Sequence, residues 1–251
     1  MQKRVCVTGL GNIGLPTACV LAASGYDVLG VDIDDQVIAR LQSGHTNLLE
    51  PNLQDLFTKV IEQGNFKTST KPTAADIHII LVPTLLDFKK QPDLSCIYAA
   101  IDAIKPCLRL NDLVLIESTC PIGTTETIAR KLRINCPEVR LAYCPERVLP
   151  GNIVHELIHN DRVVGGVNHL SALHAVNFYR SFVKGEVLIA DTRTAEAVKL
   201  VENSYRDINI AYANELSMIA DHLHLDIHEV IRLANRHPRV QMNASLFNIL
   251  S

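Results

Sequence analysis

Apolar residues in this chain fall into short runs, separated by longer segments in which they recur every three or four positions. The runs are Val5-Cys6-Val7, Val28–Val31, Ile77–Val82 with His78 inside it, Leu113–Ile116 and Val139–Ala142 with Arg140 inside it. Runs without polar alternation mark strands buried on both faces of a parallel sheet. Between them, helical spacing predicts helices over Asp34–Leu41, from Pro51 through Ile61, over Leu94–Ile104 and over Thr124–Leu132. Gly44 and Gly64 stand as stops, and Pro51 suits a first helical turn. Asp87–Pro92 reads as a polar connection. Strand and helix in alternation predict a doubly wound α/β domain over residues 1–150.

Pro150-Gly151 then breaks the pattern, and a second unit is expected to begin there. Within 151–193, the end of the α/β domain, Arg162–Val164 and Val187–Ile189 read as short strands flanking a helix near Ser171–Phe182. From Thr194 to about Leu223 the chain has neither Gly nor Pro, and Val198, Val201, Tyr205, Ile208, Ala211, Leu216 and Ile219 recur at helical spacing. Such a helix would run about 45 Å, a length suited to a spine between domains or subunits. With a short helix over Asp226–Ala234 it makes 194–240 a mostly helical region around one long helix. Residues 241–251 carry no recognisable element.

Composition narrows the class without naming it. The 251 residues are 47% hydrophobic with a formal charge of −3, a balance that suggests neither a nucleic-acid nor a membrane-surface partner. No apolar stretch approaches the roughly 20 residues a membrane span needs. The chain enters its first strand at once, so no signal peptide and a cytoplasmic location are expected. Seven cysteines (Cys6, Cys19, Cys96, Cys107, Cys120, Cys136, Cys144) include no CxxC pair. An odd, scattered set argues for free thiols, and neither they nor the histidines offer metal-ligand spacing.

Chemistry enters with Gly9-Leu-Gly11-Asn12-Ile13-Gly14, set between the first strand and the first helix. A glycine at 9 can turn off the strand, one at 11 admits a pyrophosphate close to the backbone, and one at 14 lets helix and strand pack. The helix start would aim its unpaired N–H groups at the phosphates. Asp32 closes the second strand about 20 residues on, where a carboxylate takes the ribose hydroxyls of NAD. Asp34, with no Arg directly after Asp32, disfavours the extra phosphate of NADP. A GxGxxG alone often marks only a turn; here strand, helix and acid agree on a Rossmann-type site for NAD.

On the long helix, Lys199, Asn203 and Arg206 share one stripe. An ammonium and an amide on one face can serve as general acid or oxyanion stabiliser. The same stripe also reads as a solvated polar face.

Context favours the chemical reading. The pattern GxGxxGxxxAxxLxxxG runs through Gly9, Gly11, Gly14, Ala18, Leu21 and Gly25, and the Lys-x-x-x-Asn lies on a long helix beyond the nucleotide domain. Val82-Pro83-Thr84, Glu117-Ser118-Thr119, Tyr143-Cys-Pro-Glu-Arg147, Asn160-Asp-Arg162, Thr194-Ala-Glu196, Glu202-Asn203-Ser204 and Arg232-Leu-Ala-Asn-Arg-His-Pro238 complete a set. Together they resemble the UDP-glucose/GDP-mannose dehydrogenase family, and within it the bacterial UDP-N-acetylmannosamine branch. The resemblance implies oxidation of a UDP-sugar C6 alcohol to the uronic acid with two NAD molecules in turn, for surface polysaccharide synthesis, through a cysteine-bound intermediate. It implies Lys199 and Asn203 at the oxyanion, and Thr119 and Glu146 handling water and protons. It implies the cofactor held by Gly9, Gly11 to Gly14 and Asp32, with Pro83, Thr84, Glu117 and Thr119 on its nicotinamide side. For either threonine, capping a helix or loop is the competing reading. A homodimer through the long helix is the implied assembly.

Two departures stand out. Pro150 replaces a glutamate of the wider family, which bears on substrate branch. The nucleophilic cysteine and UDP-binding domain expected after the Asn-Arg-His-Pro segment are replaced by Gln241–Ser251, so a truncated chain, inactive alone, is expected. Cys120 and Cys144 are the cysteines expected near the carboxyl edge of the sheet, as packing residues or as a substitute nucleophile. The alternatives are a two-electron β-hydroxyacid-type dehydrogenase using Lys199 and Asn203, and a non-catalytic NAD-binding remnant.

Overall fold

The computed structural model describes residues 3–46, 48–133, 138–240 and 242. Cys136 and, apart from Met242, the segment 241–251 lie outside the described residues. Two compact units are present, one ending at Lys199 and the other beginning at Leu200.

The first unit is built on one eight-stranded sheet. Its strands are β1 (Arg4–Thr8), β2 (Asp27–Val31), β3 (Phe66–Ser69), β4 (Ile77–Ile80), β7 (Leu113–Ile116), β8 (Arg140–Tyr143), β9 (Arg162–Gly166) and β10 (Val187–Asp191). A hairpin of β5 (Leu85–Leu86) and β6 (Pro92–Asp93) stands apart. The helices are α1 (Gly14–Ala23), α2 (Asp35–Gln42), α3 (Leu53–Glu62), α4 (Ser95–Ile104), α5 (Thr124–Arg133), α6 (Ile153–His159), α7 (His169–Tyr179) and the start of α8 (Thr192–His222). The sheet order is β10-β9-β8-β7-β4-β1-β2-β3. From β1 the chain winds outward to β2 and β3, then crosses to β4 and winds the other way, so the order reverses between β1 and β4. In open sheets of this kind the crevice at such a reversal, outside the carboxyl ends of the strands, receives the ligand.

Both faces of the central strands are packed, as their largely apolar runs require. Val7, Ile79, Leu115 and Ala142 meet Leu15, Phe57, Phe178 and Tyr179 on one face. Ile80, Val114, Ile116 and Leu141 meet Ile97, Ile101, Ile104 and Ile128 on the other. Each such aliphatic side chain contributes about 1.5–3 kcal/mol of burial.

The doubly wound, mostly parallel sheet is the expected one, with corrections. β9 runs antiparallel to β8, pairing Ala142 with Gly166 and Tyr143 with Gly165. Burial patterns read the same in either direction, so the run could not reveal this. β9 and β10 extend the same sheet, and Pro150-Gly151 is a connection inside the first unit and no boundary. β4 ends at Ile80, two residues early, because Glu117 and Ser118 both donate backbone N–H bonds to the Ile80 carbonyl. The polar connection holds the hairpin, closed by the Asp87 carboxylate accepting from the N–H groups of Lys89 and Gln91 at 2.8 Å. The edge strand β3 and the short helix α6 had no clear pattern. α8 starts at Thr192, two residues before the expected Thr194. Asp191 caps it, accepting from Thr194 N–H at 2.8 Å and Thr194 Oγ1 at 2.6 Å.

The second unit contains the rest of α8 from Leu200 and α9 (Ile227–Ala234). Asp226 caps α9, accepting from the His228 N–H at 2.9 Å. Among the described residues no helix is long and apolar enough to cross a membrane.

His78 is the misfit of the core. It lies fully buried in β4, and neither ring nitrogen has a hydrogen-bond partner. Burial pushes it down from 6.5 to about 4, against the nearby Asp112 charge and with that of Arg109. The folded protein therefore keeps His78 neutral while the unfolded chain protonates it. Its share of stability is complete above pH 6.5 and is lost as pH falls from 6.5 towards 4, a swing of about 3 kcal/mol. His78→Leu is expected to flatten that acid limb in urea titrations run between pH 4 and 7; an unchanged slope would refute the assignment.

Candidate active site

The glycine turn is dictated by space. Gly9 has φ +94°, and a Cβ there would lie 2.3 Å from the Leu81 carbonyl oxygen. At Gly14 a Cβ would lie 1.8 Å from the Gly9 oxygen, so α1 leaves β1 with no room for a side chain. Gly11 is different: a Cβ there meets nothing within 4 Å, because it faces open space. The start of α1 has no side-chain cap at Ile13 and no acid in its first turn. The Leu15 N–H bonds the Gly11 carbonyl and Pro16 has no N–H, so what α1 offers an anion is chiefly its positive dipole end.

That space is a cavity of about 800 Å³ outside the carboxyl ends of β1 and β4, the reversal point of the sheet. Among the sequence candidates, Gly9, Gly11, Asn12, Ile13 and Asp32 line one part of it. Pro83, Thr84, Glu117, Thr119 and Glu146 line the rest. Gly14 is buried beneath the turn and does not line it. Asp32 Oδ2 accepts the Leu10 N–H at 2.9 Å and Oδ1 the Asp34 N–H at 3.0 Å, which fixes the carboxylate at the rim. An open glycine, an uncapped helix start and a fixed acid at the end of β2 suit the pyrophosphate and ribose of a dinucleotide.

Across the cavity, the loops after β4 and β7 are latched by Ser118 Oγ, which donates to the Val82 carbonyl at 2.8 Å. The latch places Thr84 and Thr119 on one wall. Glu146 follows β8 in the neighbouring loop. Lys199, buried on α8, donates to both the Glu146 carboxylate Oε1 and its carbonyl oxygen at 2.7 Å. Glu146 Oε2 accepts the Val148 N–H at 3.0 Å. Lys199 and Glu146, 53 residues apart, thus meet at the edge of the cavity. Asn203 belongs to the second unit, where its Oδ1 accepts from Arg206 Nη2 at 3.2 Å.

Glu117 is a wall residue whose carboxylate turns into the protein. Oε1 accepts the Tyr179 hydroxyl at 2.7 Å, and Oε2 lies 3.6 Å from Arg162 Nη1. Burial raises its pKa above the usual carboxylate range, while Arg162 and the Tyr179 hydrogen bond work against that rise. Its position on the wall was readable from sequence, but its partners Tyr179 and Arg162 were not. Arg162 had stood only as part of Asn160-Asp-Arg162, and an arginine in an apolar strand is the one signal that pointed to a buried ion pair.

Of the two readings of Cys120 and Cys144, burial supports packing. Cys120 and Cys144 are both buried, and burial pushes each thiol up to about 12. A thiol so protonated is no nucleophile, so both are packing residues. A third cysteine, Cys96, was overlooked: it lies half-buried in the first turn of α4 and lines the cavity. Its helix begins six residues before the apolar pair Ile101 and Ile104, and nothing in the spacing set it apart.

Comparison with known proteins agrees with this geometry. Residues 3–183 match the UDP-glucose/GDP-mannose dehydrogenase family, NAD binding domain, and residues 193–248 match the central domain of the same family. A UDP-N-acetyl-D-mannosamine dehydrogenase of Methanocaldococcus jannaschii is 48% identical over 243 residues, covering 96% of this chain and 57% of that protein. An NDP-N-acetyl-D-galactosaminuronic acid dehydrogenase of Ralstonia nicotianae is 44% identical over 252 residues, covering 96% and 60%. The solved UDP-D-ManNAc dehydrogenase of Pyrococcus horikoshii superposes with a TM-score of 0.91 at 42% identity, over 96% of this chain and 59% of that one. The chain thus spans somewhat over half the length of the relatives it matches. With its glycine turn, wall threonines and buried lysine on the matched segments, it belongs to the UDP-glucose/GDP-mannose dehydrogenase family.

Proposed function

We propose that this chain supplies the cofactor site and the Lys199–Glu146 pair of an NAD-dependent UDP-sugar 6-dehydrogenase, with UDP-N-acetyl-D-mannosamine as substrate. The observation that carries the reading is the Lys199 ammonium, held at 2.7 Å by two oxygens of Glu146 beside the dinucleotide cavity. The substrate rests on the names of the relatives. NAD, when bound, supplies the hydride acceptor.

The chain's own residues do the rest. Gly11 and the start of α1 take the pyrophosphate, and Asp32 takes the ribose hydroxyls. Lys199 opposes the negative charge that develops on the reacting sugar oxygen, and in a site shielded from water a fixed ammonium is worth several kcal/mol. Glu146 holds the ammonium in place and handles protons, and the Thr119 hydroxyl stands on the facing wall. Asn203 shares the oxyanion task with Lys199 on motif spacing alone. With Cys120 and Cys144 shut in the core, neither supplies the thiolate of a second oxidation.

The deciding experiment is NADH formation from UDP-N-acetylmannosamine, UDP-N-acetylglucosamine, UDP-glucose and GDP-mannose, with NAD affinity measured by calorimetry alongside. NADH from a small hydroxyacid and none from any nucleotide sugar would overturn the reading in favour of the two-electron class. Asp32→Ala is expected to weaken NAD binding roughly 10- to 100-fold, the worth of a charge-assisted hydrogen bond, and to narrow the preference over NADP. Lys199→Ala is expected to cut kcat on the sugar roughly 100- to 1,000-fold while leaving NAD affinity within a few-fold; an equal loss in both would place Lys199 in cofactor binding.

The proposed partner is a second copy of the chain. In the second unit Val201, Tyr205, Ile208 and Tyr212 are exposed along α8 at spacings of four, three and four, a continuous apolar stripe of the kind that helix pairing buries. Ile208→Glu is expected to shift light-scattering mass from dimer to monomer, and a monomeric wild-type chain at tens of micromolar would rule the stripe out.

A further inference from the structure

Glu196 has so far stood only within Thr194-Ala-Glu196, yet it is the most thoroughly bonded carboxylate of the first unit. It is fully buried on α8. Oε1 accepts the Thr125 N–H at 2.8 Å and the Thr125 hydroxyl at 2.7 Å, while Oε2 accepts the Gly123 N–H at 2.5 Å. Those N–H groups belong to the entry of α5. A side chain of one helix therefore caps the start of another, 71 residues away in sequence. The capping charge also faces the positive end of the α5 dipole.

Three residues further along α8 comes Lys199, bonded to Glu146. The helix is thus pinned at two points one turn apart, to the loop after β7 through Glu196 and to the loop after β8 through Lys199. The first of these loops carries Thr119 and Ser118 on the cavity wall. Just ahead of the first pin the backbone seats closely on the sheet. At Gly165 in β9 a Cβ would lie 2.8 Å from both Ala195 Cβ and Thr192 Cα.

We propose that Glu196 is a positioning residue for the reaction, setting the rotation and height of α8 and so the station of Lys199 beside Glu146 and the path of the Thr119 loop. The inference rests on the assignment of Lys199 to the site. Four hydrogen bonds converge on Glu196, the fourth from Cys120 Sγ to Oε1 at 3.8 Å, and a carboxylate has acceptors for all of them. Glutamine would turn an NH₂ group towards the Gly123 N–H, and aspartate would fall short by one methylene. The exposed Arg193–Glu126 pair, 3.5 Å apart, also joins α8 to α5, but at the surface, where an ion pair holds little.

The test is lysine acetylation of the intact chain with N-acetoxysuccinimide, followed site by site by mass spectrometry. In the wild type, Lys199 is expected to react far more slowly than the surface lysines. Glu196→Gln is expected to raise the Lys199 rate at least tenfold with the other lysines unchanged, whereas Arg193→Ala leaves Lys199 protected. Unaltered protection in a folded Glu196→Gln variant overturns the proposal, and so does a uniform rise at every lysine, which reports general loosening. If that variant does not fold, Thr125→Val, which removes one donor and keeps the backbone cap, reads the same coupling: a several-fold rise at Lys199 supports it, and none overturns it. In turnover, Glu196→Gln should lower kcat with the KM for NAD unmoved. The footprint reads positioning even in a chain that makes no NADH, so failure of the proposed activity and failure of this inference are told apart.

Discussion

Between the carbonyl oxygen of Gly9 and the α-carbon of Gly14 there is no space for a methyl group, since a Cβ would stand 1.8 Å from that oxygen. That approach lets α1 begin directly above the end of β1 and leaves its first turn without a cap. A Cβ at Gly9 would in turn collide with the Leu81 carbonyl, just beyond β4, so the same turn packs against the neighbouring strand's exit. The reversal of strand order between β1 and β4 opens a crevice at the same place. Because the positive end of the α1 dipole opens at that crevice, a site for an anion follows from how the backbone packs, before any charged side chain is considered.

Much of this arrangement was legible in the sequence, for a physical reason. A strand covered by helices on both faces must be largely apolar, so β1, β4, β7 and β8 announced themselves as apolar runs, with His78 in β4 and Arg140 in β8 as interruptions. Elements that lack such cover did not. β3 is an edge strand whose one deeply buried side chain is Phe66. β5 and β6 are two residues each and exposed, held by the turn at Asp87 and not by packing. The direction of β9 escaped because alternation and burial are symmetric under reversal of a strand. A short-range pattern reports what a segment buries, and pairing direction is a property of the chain that returns to it.

The site divides along the same line. The glycines and Asp32 could be placed from spacing because each sits at the end of a strand whose position the apolar run had given, while Thr84 and Thr119 came from the family resemblance. Glu146 and Lys199 were chosen by likeness to a family, and their meeting at 2.7 Å depends on the fold bringing α8 to the loop after β8. The two cysteines, read as packing residues or a substitute nucleophile, are decided by which way they point. Their positions near strand ends were read correctly, but Cys144 points into the packed face with Tyr179 and Cys120 into the face with Ile116 and Ile128. At the carboxyl edge a shift of one residue decides whether a side chain faces the cavity or the core. Spacing along the chain does not carry that information.

The buried charges show how such a site is held together. Glu196, Lys199, Glu117 and Arg162 are all buried in the first unit, and taking ionised groups from water costs several kcal/mol each unless they are paired or hydrogen-bonded. An apolar replacement would make a comparable or better core, so stability alone is a poor account of them. What distinguishes a carboxylate under a helix start, or an ammonium between a carboxylate and a carbonyl, is direction: apolar contacts slide by an ångström at little cost, whereas these bonds are lost. Glu196 and Lys199 lie one turn apart on a single rigid helix and grip two different loops, so a shift of α8 that satisfied one would break the other. Two directional contacts on one rod define its rotation and its height together. In the role proposed for Lys199, reach to a reacting oxygen depends on both.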